Sequence, residues 1–203
     1  MEDPCQAKAY AEADFELSDQ DFMERLKKLL GNIQKIKDLG LFLDLGCGPG
    51  NISHRLALAW PSKRVLGVDG SKAMLKIAES KRLAAYPFQQ NLSYSHLNIS
   101  SLADGSIRLE EQASVVVSNS LLHHLHNPQS LWKTLKRISS KGAIHYHRDL
   151  RRPAREEDLN ALQKKYLGNG PSILKKDYRA SLRAAFTSEE VVMQLKTAGL
   201  DSF

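Results

Sequence analysis

The chain has 203 residues, 42% of them hydrophobic and 26% charged, which is enough for one sizeable core and too little for two, so we expect a single domain over residues 1–203. This composition excludes a disordered, fibrous or disulfide-stapled protein, and no apolar run approaches the roughly 20 residues that span a bilayer. The net charge of +6 keeps nucleic acid open as a partner, although the cationic pairs lie in segments of helical pattern and are expected on solvated helix faces. Two distant cysteines and the lack of a signal-peptide pattern predict a cytoplasmic protein with no membrane partner.

The first half of the chain alternates helix and strand. Helices are predicted at residues 18–36, 52–60 and about 72–85 from apolar periodicity and from cap residues such as Ser18 and Ser71. Strands are predicted at residues 41–43, 64–68 and 92–97. The loop between the first strand and the second helix is rich in glycine.

The second half continues the alternation and then becomes helical. The clearest strand is Ala113–Ser118, and Asn127-Pro128 is a typical helix start. Lys141-Gly142 predicts a turn before a fifth strand at residues 143–147. After Pro153 the pattern is helical up to Gly199. Five alternations of strand and helix favour a parallel sheet covered on both faces.

The glycine loop, Asp44-Leu45-Gly46-Cys47-Gly48-Pro49-Gly50, is the strongest functional signal. Glycines there allow positive φ angles and let a ligand approach the backbone closely, and the following helix points its first amides at that ligand. A dinucleotide site would need a third glycine where Asn51 stands. An acid ahead of the loop is a poor neighbour for a pyrophosphate and a good one for a cationic amino group. A tight turn with no ligand is the alternative.

With these features the loop resembles the first motif of class I S-adenosylmethionine-dependent methyltransferases. The resemblance implies a Rossmann-like α/β sandwich with a mainly parallel sheet in strand order 3-2-1-4-5. It also implies that Gly46, Cys47, Gly48 and Gly50 line the methionine part of S-adenosylmethionine. Asp44 would then serve the amino group of that methionine, directly or through water.

A second acid, Asp69, ends the second strand about 20 residues beyond the glycines, where an acid commonly holds ribose hydroxyls. A carboxylate can accept two such hydrogen bonds, although Asp69 could instead only cap the next helix. Further cofactor-binding residues are expected around the adenosine: Gly70, Ser71, Met74, Asn98 and Ile99. The alternative for Met74 is a place in the core, and the alternative for Asn98 is an ordinary turn.

The segment after the fourth strand should border the transferable methyl group, because ligands of open α/β sheets bind at the carboxyl ends of strands. It contains Asn119, a predicted cofactor residue, and His123 and His124, predicted catalytic residues that could deprotonate an acceptor. Asp149, after the fifth strand, is the third predicted catalytic residue. The alternative for the histidines is simple packing, and with His126 they make too weak a metal signature to predict a metal.

Longer stretches, among them Gln6–Phe15 and Ser118–Pro128, resemble a group of uncharacterised small bacterial class I methyltransferases. In such proteins an N-terminal segment often folds over the cofactor, so we expect a lid in residues 1–36 with Tyr10 as a cofactor contact. Residues 40–150 would then bind the cofactor, and residues 153–199 would form the helical substrate side. These enzymes usually end in an antiparallel hairpin, which we expect to be missing here.

The sequence therefore predicts a methyltransferase that acts on an unidentified, small-molecule acceptor by in-line displacement. The alternatives are an enzyme that methylates RNA or another nucleic acid, and a truncated remnant that binds the cofactor without catalysis. A nicotinamide dehydrogenase is disfavoured by Asn51 and Asp44. Neither the acceptor nor the oligomeric state follows from the sequence.

Overall fold

The computed structural model describes residues 3–31, 40–85, 87, 89–168 and 170–201. Its strands are β1 (Leu41–Leu45), β2 (Val65–Asp69), β3 (Leu92–His96), β4 (Ala113–Asn119) and β5 (Ser139–Arg148). Its helices are α1 (Pro4–Ala11), α2 (Glu16–Gly31), α3 (Asn51–Ala59), α4 (Lys72–Ala84), α5 (Ile99–Asp104), α6 (Gln129–Ile138), α7 (Glu156–Leu167), α8 (Ser172–Ala184) and α9 (Ser188–Ala198), with a short 3-10 turn at Leu122–His124.

The five described strands form one sheet in the order β3-β2-β1-β4-β5, and each neighbouring pair is parallel. This confirms the predicted Rossmann-like fold and strand order. Because all five strands run the same way, their carboxyl ends meet at one edge of the sheet. That edge brings together Leu45, Asp69, Asn119 and Arg148, although they are far apart in the sequence.

Helices cover both faces of the sheet, and each face has its own apolar core. Leu43 and Leu45 of β1 pack into the cluster that contains Trp132 of α6. Phe42, which points to the other face, packs into the cluster that contains Phe22 of α2. The strands of a parallel sheet are apolar along their whole length, so the sheet is stable when helices bury both of its faces in this way.

Two helices are found that the sequence pattern does not predict. In α1 the carboxylate of Asp3 accepts the backbone N–H of Gln6 at 2.7 Å, and Pro4 occupies the first turn. In α5 the N-cap is Asn98. Helices of 8 and 6 residues are too short to display a clear apolar period. The predicted helix over 18–36 is α2, and its last five residues lie outside the described residues.

The predicted turn at Lys141-Gly142 is wrong, because both residues lie within β5. The strand begins directly after α6, and its register against β4 jumps from Ala113–Ser139 to Val115–Ile144. The extra residues form a bulge in which Gly142 has a φ of +79°. The glycine therefore permits a bulge here and does not end the strand.

None of the helices within the described residues is both long and apolar enough to cross a bilayer.

Phe22 should be essential to the docking of α2 on the sheet. Its side chain is fully buried, and its ring centre lies 4.6 Å from that of Tyr146 in β5. We expect Phe22→Ala to leave a cavity and to lower the free energy of unfolding by about 3–5 kcal/mol in urea denaturation. Leu17→Ala, on the exposed side of the same helix, should change it by no more than about 0.5 kcal/mol. Equal effects of the two substitutions would contradict this packing.

Candidate functional site

The glycine loop after β1 is held against β2 by backbone hydrogen bonds. The N–H groups of Gly46 and Cys47 donate to the carbonyl of Val68 at 2.8 and 3.0 Å. Gly46, Gly48 and Gly50 all have positive φ angles. A Cβ on Gly46 would meet Leu121 at 2.6 Å, whereas a Cβ on Gly48 would meet nothing within 4 Å. Gly46 is thus required for packing, while Gly48 faces open space where a ligand can approach.

A Cβ on Gly50 would collide with the Tyr94 hydroxyl, so this glycine is also needed for packing. Tyr94 comes from β3 and lies against Gly67 of β2 as well, where a Cβ would meet its ring at 2.6 Å. Strands β2 and β3 and the glycine loop therefore fit together only because glycines make room for the Tyr94 side chain.

Asp69 joins the glycine loop to the loop after β2. Its carboxylate accepts the backbone N–H of Gly48 at 2.8 Å through Oδ2 and the N–H of Ser71 at 2.7 Å through Oδ1. The cap of α4 is Ser71, whose hydroxyl accepts the N–H of Met74 at 3.2 Å. Asp69 is consequently not the helix cap, and its half-buried carboxylate lies between Gly48 and the open position at Gly70.

Asp44 lies beneath the loop and is only 1% exposed. Its carboxylate accepts a hydrogen bond from the Ser53 hydroxyl at 2.6 Å. Burial raises the pKa of Asp44 to about 7, and the negative charge of Asp69 adds to the effect. A buried carboxyl of this kind is costly to ionise unless a cation comes close.

The other residues predicted near the cofactor fall into two groups. The side chains of Cys47, Met74 and Ile99 are buried, so their packing role is evident whether or not they contact a ligand. Asn98 is exposed and caps α5, with Oδ1 accepting the N–H of Ser100 at 2.9 Å. Its role toward an adenine amine stays a prediction.

The N-terminal helices bring Tyr10 toward the same edge of the sheet. Tyr10 packs on Phe15 with ring centres 4.9 Å apart. Burial raises the pKa of its hydroxyl to about 12, with further contributions from the charges of Asp19, Asp149 and Asp69. The hydroxyl therefore lies near carboxylates of α2, of the end of β2 and of the residue that follows β5. The space at this carboxyl edge of the sheet, bordered by Gly48, Asp69 and Asp149, is called the cleft below.

A hydrogen bond joins α1 to α8. The side-chain amide of Gln6 donates to Oδ2 of Asp177 at 2.7 Å. The N-terminal segment and the helical segment predicted on the substrate side thus meet over the carboxyl edge of the sheet.

His123 and Asp149 form a hydrogen-bonded pair on the β4–β5 side of the cleft. Nδ1 of His123 lies 2.5 Å from Oδ1 of Asp149, and the His123 side chain is 2% exposed. The N–H of Leu122 donates to Oδ2 at 2.7 Å, and the N–H of Leu150 donates to Oδ1 at 2.8 Å. The His124 ring packs against the His123 ring, with ring centres 4.0 Å apart and the planes tilted by 41°. Burial, followed by the charge of His123, lowers the pKa of His124 to about 4.

Arg148 links the ends of two strands to α2. Its guanidinium donates to Asn119 Oδ1 at 3.1 Å, to Asp21 Oδ2 at 3.2 Å and to the Ser18 carbonyl at 2.9 Å. The Asn119 oxygen, on a residue predicted to contact the cofactor, is therefore already engaged by an arginine. The position of Arg148 at the end of a strand was the available signal for this role.

Asp19 was also missed by the sequence reasoning. It is 3% exposed on α2, its pKa is raised mainly by burial, and the guanidinium of Arg55 lies 3.9 Å away. In a helix with many charged residues nothing in the sequence distinguishes it. Among the described residues no group of three or more histidines, cysteines or carboxylates has the arrangement of a metal site.

Comparison with protein families matches residues 43–145 to the family described as "Methyltransferase domain". Among curated proteins, a trans-aconitate 2-methyltransferase of Paracidovorax citrulli is 52% identical over 48 residues, which cover 24% of this chain and 18% of that protein. A malonyl-[acyl-carrier protein] O-methyltransferase of Bacillus cereus is 29% identical over 93 residues, which cover 46% of this chain and 31% of that protein. The chain spans less than a third of the length of these two relatives.

Solved structures with the same fold cover almost the whole chain. A SAM-dependent methyltransferase from Aquifex aeolicus has a TM-score of 0.67 at 18% identity, covering 97% of this chain and 88% of that one. A plantazolicin methyltransferase, in complex with a monoazolic desmethylPZN analog and SAH, has a TM-score of 0.65 at 14% identity, and the match covers 95% of this chain and 63% of that one. At these identities the likeness establishes the fold alone.

The buried Asp44 should make stability depend on pH. The pKa of Asp44 rises from 3.8 to about 7 on folding. The protonated carboxyl therefore makes its whole contribution to the free energy of unfolding below about pH 4, and this contribution is lost as the pH rises through 7. We expect Asp44→Asn to raise the melting temperature by several °C above pH 7 and to have little effect below pH 4.

Asp104→Asn is the control for this measurement, because a hydrogen bond from the backbone of Ser106 lowers the pKa of Asp104. That variant should gain no stability at high pH. If the melting temperature gained by Asp44→Asn increased as the pH was lowered, the raised pKa of the buried Asp44 carboxyl would be contradicted.

Proposed function

Since the chain belongs to the methyltransferase-domain family, within the class I S-adenosylmethionine-dependent superfamily, we propose that it transfers a methyl group from S-adenosylmethionine to a small-molecule acceptor. The observation that carries the proposal is the open cradle at Gly48 and Gly70, with the Asp69 carboxylate between them. We assign residues 40–150 to cofactor binding and residues 153–199 to the substrate side.

The residues of the cradle fit the cofactor. A Cβ at Gly48 or Gly70 would occupy space that no protein atom fills, as expected where a ligand lies against the backbone. Asp69 uses its two oxygens for one backbone N–H each and retains lone pairs that can accept the two hydroxyls of a ribose. Its place at the end of β2 is the usual one for such an acid.

Carboxylates dominate the charge around the cleft. Burial raises the pKa of Asp44, and the negative charges of Asp69 and Asp19 add to that effect. An amino group and a sulfonium, both positive, relieve this repulsion when they bind. This arrangement supports S-adenosylmethionine over a pyrophosphate-containing dinucleotide, whose charge has the wrong sign.

When bound, S-adenosylmethionine supplies an activated methyl group on a positively charged sulfur. The chain's own part is to orient the acceptor and to exclude water. Tyr10 and the Gln6–Asp177 hydrogen bond would close the cleft, and the Tyr10 hydroxyl stays protonated because its pKa is about 12. His123, His124 and Asp149 lie at the ends of β4 and β5, where we place the acceptor.

The relatives support a small acceptor without identifying it. The names of the curated relatives specify trans-aconitate and a malonyl group on acyl-carrier protein, and a structural neighbour acts on plantazolicin. Nucleic acid remains an alternative from the net charge alone. Several cations are already paired within the described residues, for example Arg179 and Arg183 with Glu156, which weakens that alternative.

Calorimetric titration with S-adenosylmethionine and S-adenosylhomocysteine tests the proposal. We expect both to bind with micromolar affinity, and NAD not to bind. Gly48→Ala should abolish binding because its Cβ would occupy the cradle. Asp69→Asn should weaken binding at least tenfold, since one lost charge-assisted hydrogen bond is worth about 1.5–3 kcal/mol.

Gly142→Ala is a matched control for Gly48→Ala. Both glycines have a positive φ, and neither has an atom within 4 Å of the added Cβ, but Gly142 lies in the β5 bulge. The two variants should lose similar amounts of stability, and only Gly48→Ala should lose the ligand. A well-folded wild-type chain that bound neither cofactor form would overturn the proposed function.

A further inference from the structure

We propose that the acceptor atom enters this site carrying a proton, as an O–H or N–H group, and that His123 removes that proton through Nε2 while Asp149 acts as a positioning residue. The inference rests on the proposed methyltransferase function and specifies its substrate class. An enzyme that methylates a carboxylate needs no base, because a carboxylate carries no proton at neutral pH. The proposed role of His123 therefore distinguishes this chain from such an enzyme.

The surroundings of Asp149 determine which nitrogen of His123 is protonated. The carboxylate receives backbone N–H groups from Leu122 and Leu150, so it is surrounded by donors and acts as an acceptor. The 2.5 Å contact with Nδ1 of His123 then requires a proton on Nδ1. A neutral His123 therefore carries its lone pair on Nε2.

The Asp149 carboxylate also prepares His123 for its charged form. When Nε2 takes the proton, the bonding electron pair stays on the acceptor oxygen or nitrogen, and the ring becomes an imidazolium. The positive charge then lies 2.5 Å from the carboxylate. The side chain is almost fully buried, so this interaction is little screened by water.

His124 is unsuited to the same task. Its pKa of about 4 makes it a weak base at neutral pH, so it stays uncharged beside His123. An uncharged ring at a centre-to-centre distance of 4.0 Å does not repel an imidazolium at His123 as a second cation would. The pair therefore contains one base and one neutral neighbour.

The charges around the cleft disfavour a carboxylate acceptor. The negative charges of Asp19, Asp69 and Asp149 all contribute to the raised pKa of the Tyr10 hydroxyl, so all three carboxylates lie near it. The guanidinium of Arg148 is engaged by Asp21 and Ser18, and that of Arg55 is paired with Glu16. A molecule with several negative charges would meet repulsion here, with these two arginines already occupied.

Nuclear magnetic resonance of ¹⁵N-histidine-labelled protein tests the base. In the full chain loaded with S-adenosylhomocysteine at neutral pH, we expect His123 to be neutral with the proton on Nδ1, its signals assigned by loss in His123→Gln. Asp149→Asn should shift the proton toward Nε2, because an amide can donate to Nδ1. Asp104→Asn, which alters an exposed aspartate that accepts the backbone N–H of Ser106, should leave the His123 signals unchanged.

The wild-type spectrum decides the question even if Asp149→Asn does not fold. A proton on Nε2, or an imidazolium at neutral pH, would overturn the role of His123. A merely structural Asp149 would change the melting temperature without changing the protonated nitrogen of the folded variant.

A second titration tests the acceptor class, with trans-aconitate and malonate as carboxylate probes. We expect no saturable heat at millimolar concentration in protein loaded with S-adenosylhomocysteine. Saturable binding of either probe would overturn the inference. If S-adenosylhomocysteine itself does not bind, the proposed function fails instead, so the two failures are distinguishable.

Discussion

The carboxylate of Asp69 connects the two loops on which the ligand cleft depends. It accepts one N–H from Gly48 and one from Ser71, and so fixes the loop after β1 relative to the start of α4. The glycine loop is further held by the Val68 carbonyl. All of these bonds use backbone donors, so they fix the path of the main chain in both loops. The open positions at Gly48 and Gly70 flank this one side chain.

The same region concentrates negative charge in a partly buried place. Asp44 and Asp19 both have raised pKa values caused mainly by burial, so ionisation of these carboxyl groups lowers the stability of the fold. A cationic ligand offsets that cost, and its binding should therefore stabilise the fold. Under the proposed function, the affinity for S-adenosylmethionine and the stability of the fold are linked through these carboxyl groups.

The sequence was sufficient to predict those features of the fold and the candidate site that depend on the spacing of nearby residues. The glycine loop, Asp69 and the strand order follow from the alternation of strands and helices and from a resemblance to a known superfamily. The bulge at Gly142 was mistaken for a turn because a positive φ suits both. Pairing of His123 with Asp149 joins residues 26 positions apart, and no periodicity predicts which acid meets which histidine.

The contact between Gln6 and Asp177 spans 171 positions of the chain. During synthesis the first helix leaves the ribosome long before the residue that holds it in place. The sheet can already be assembled while α1 still lacks this partner, because β1 to β5 end at Arg148. A nascent chain can therefore form this contact between α1 and α8 only after Asp177 has been synthesised.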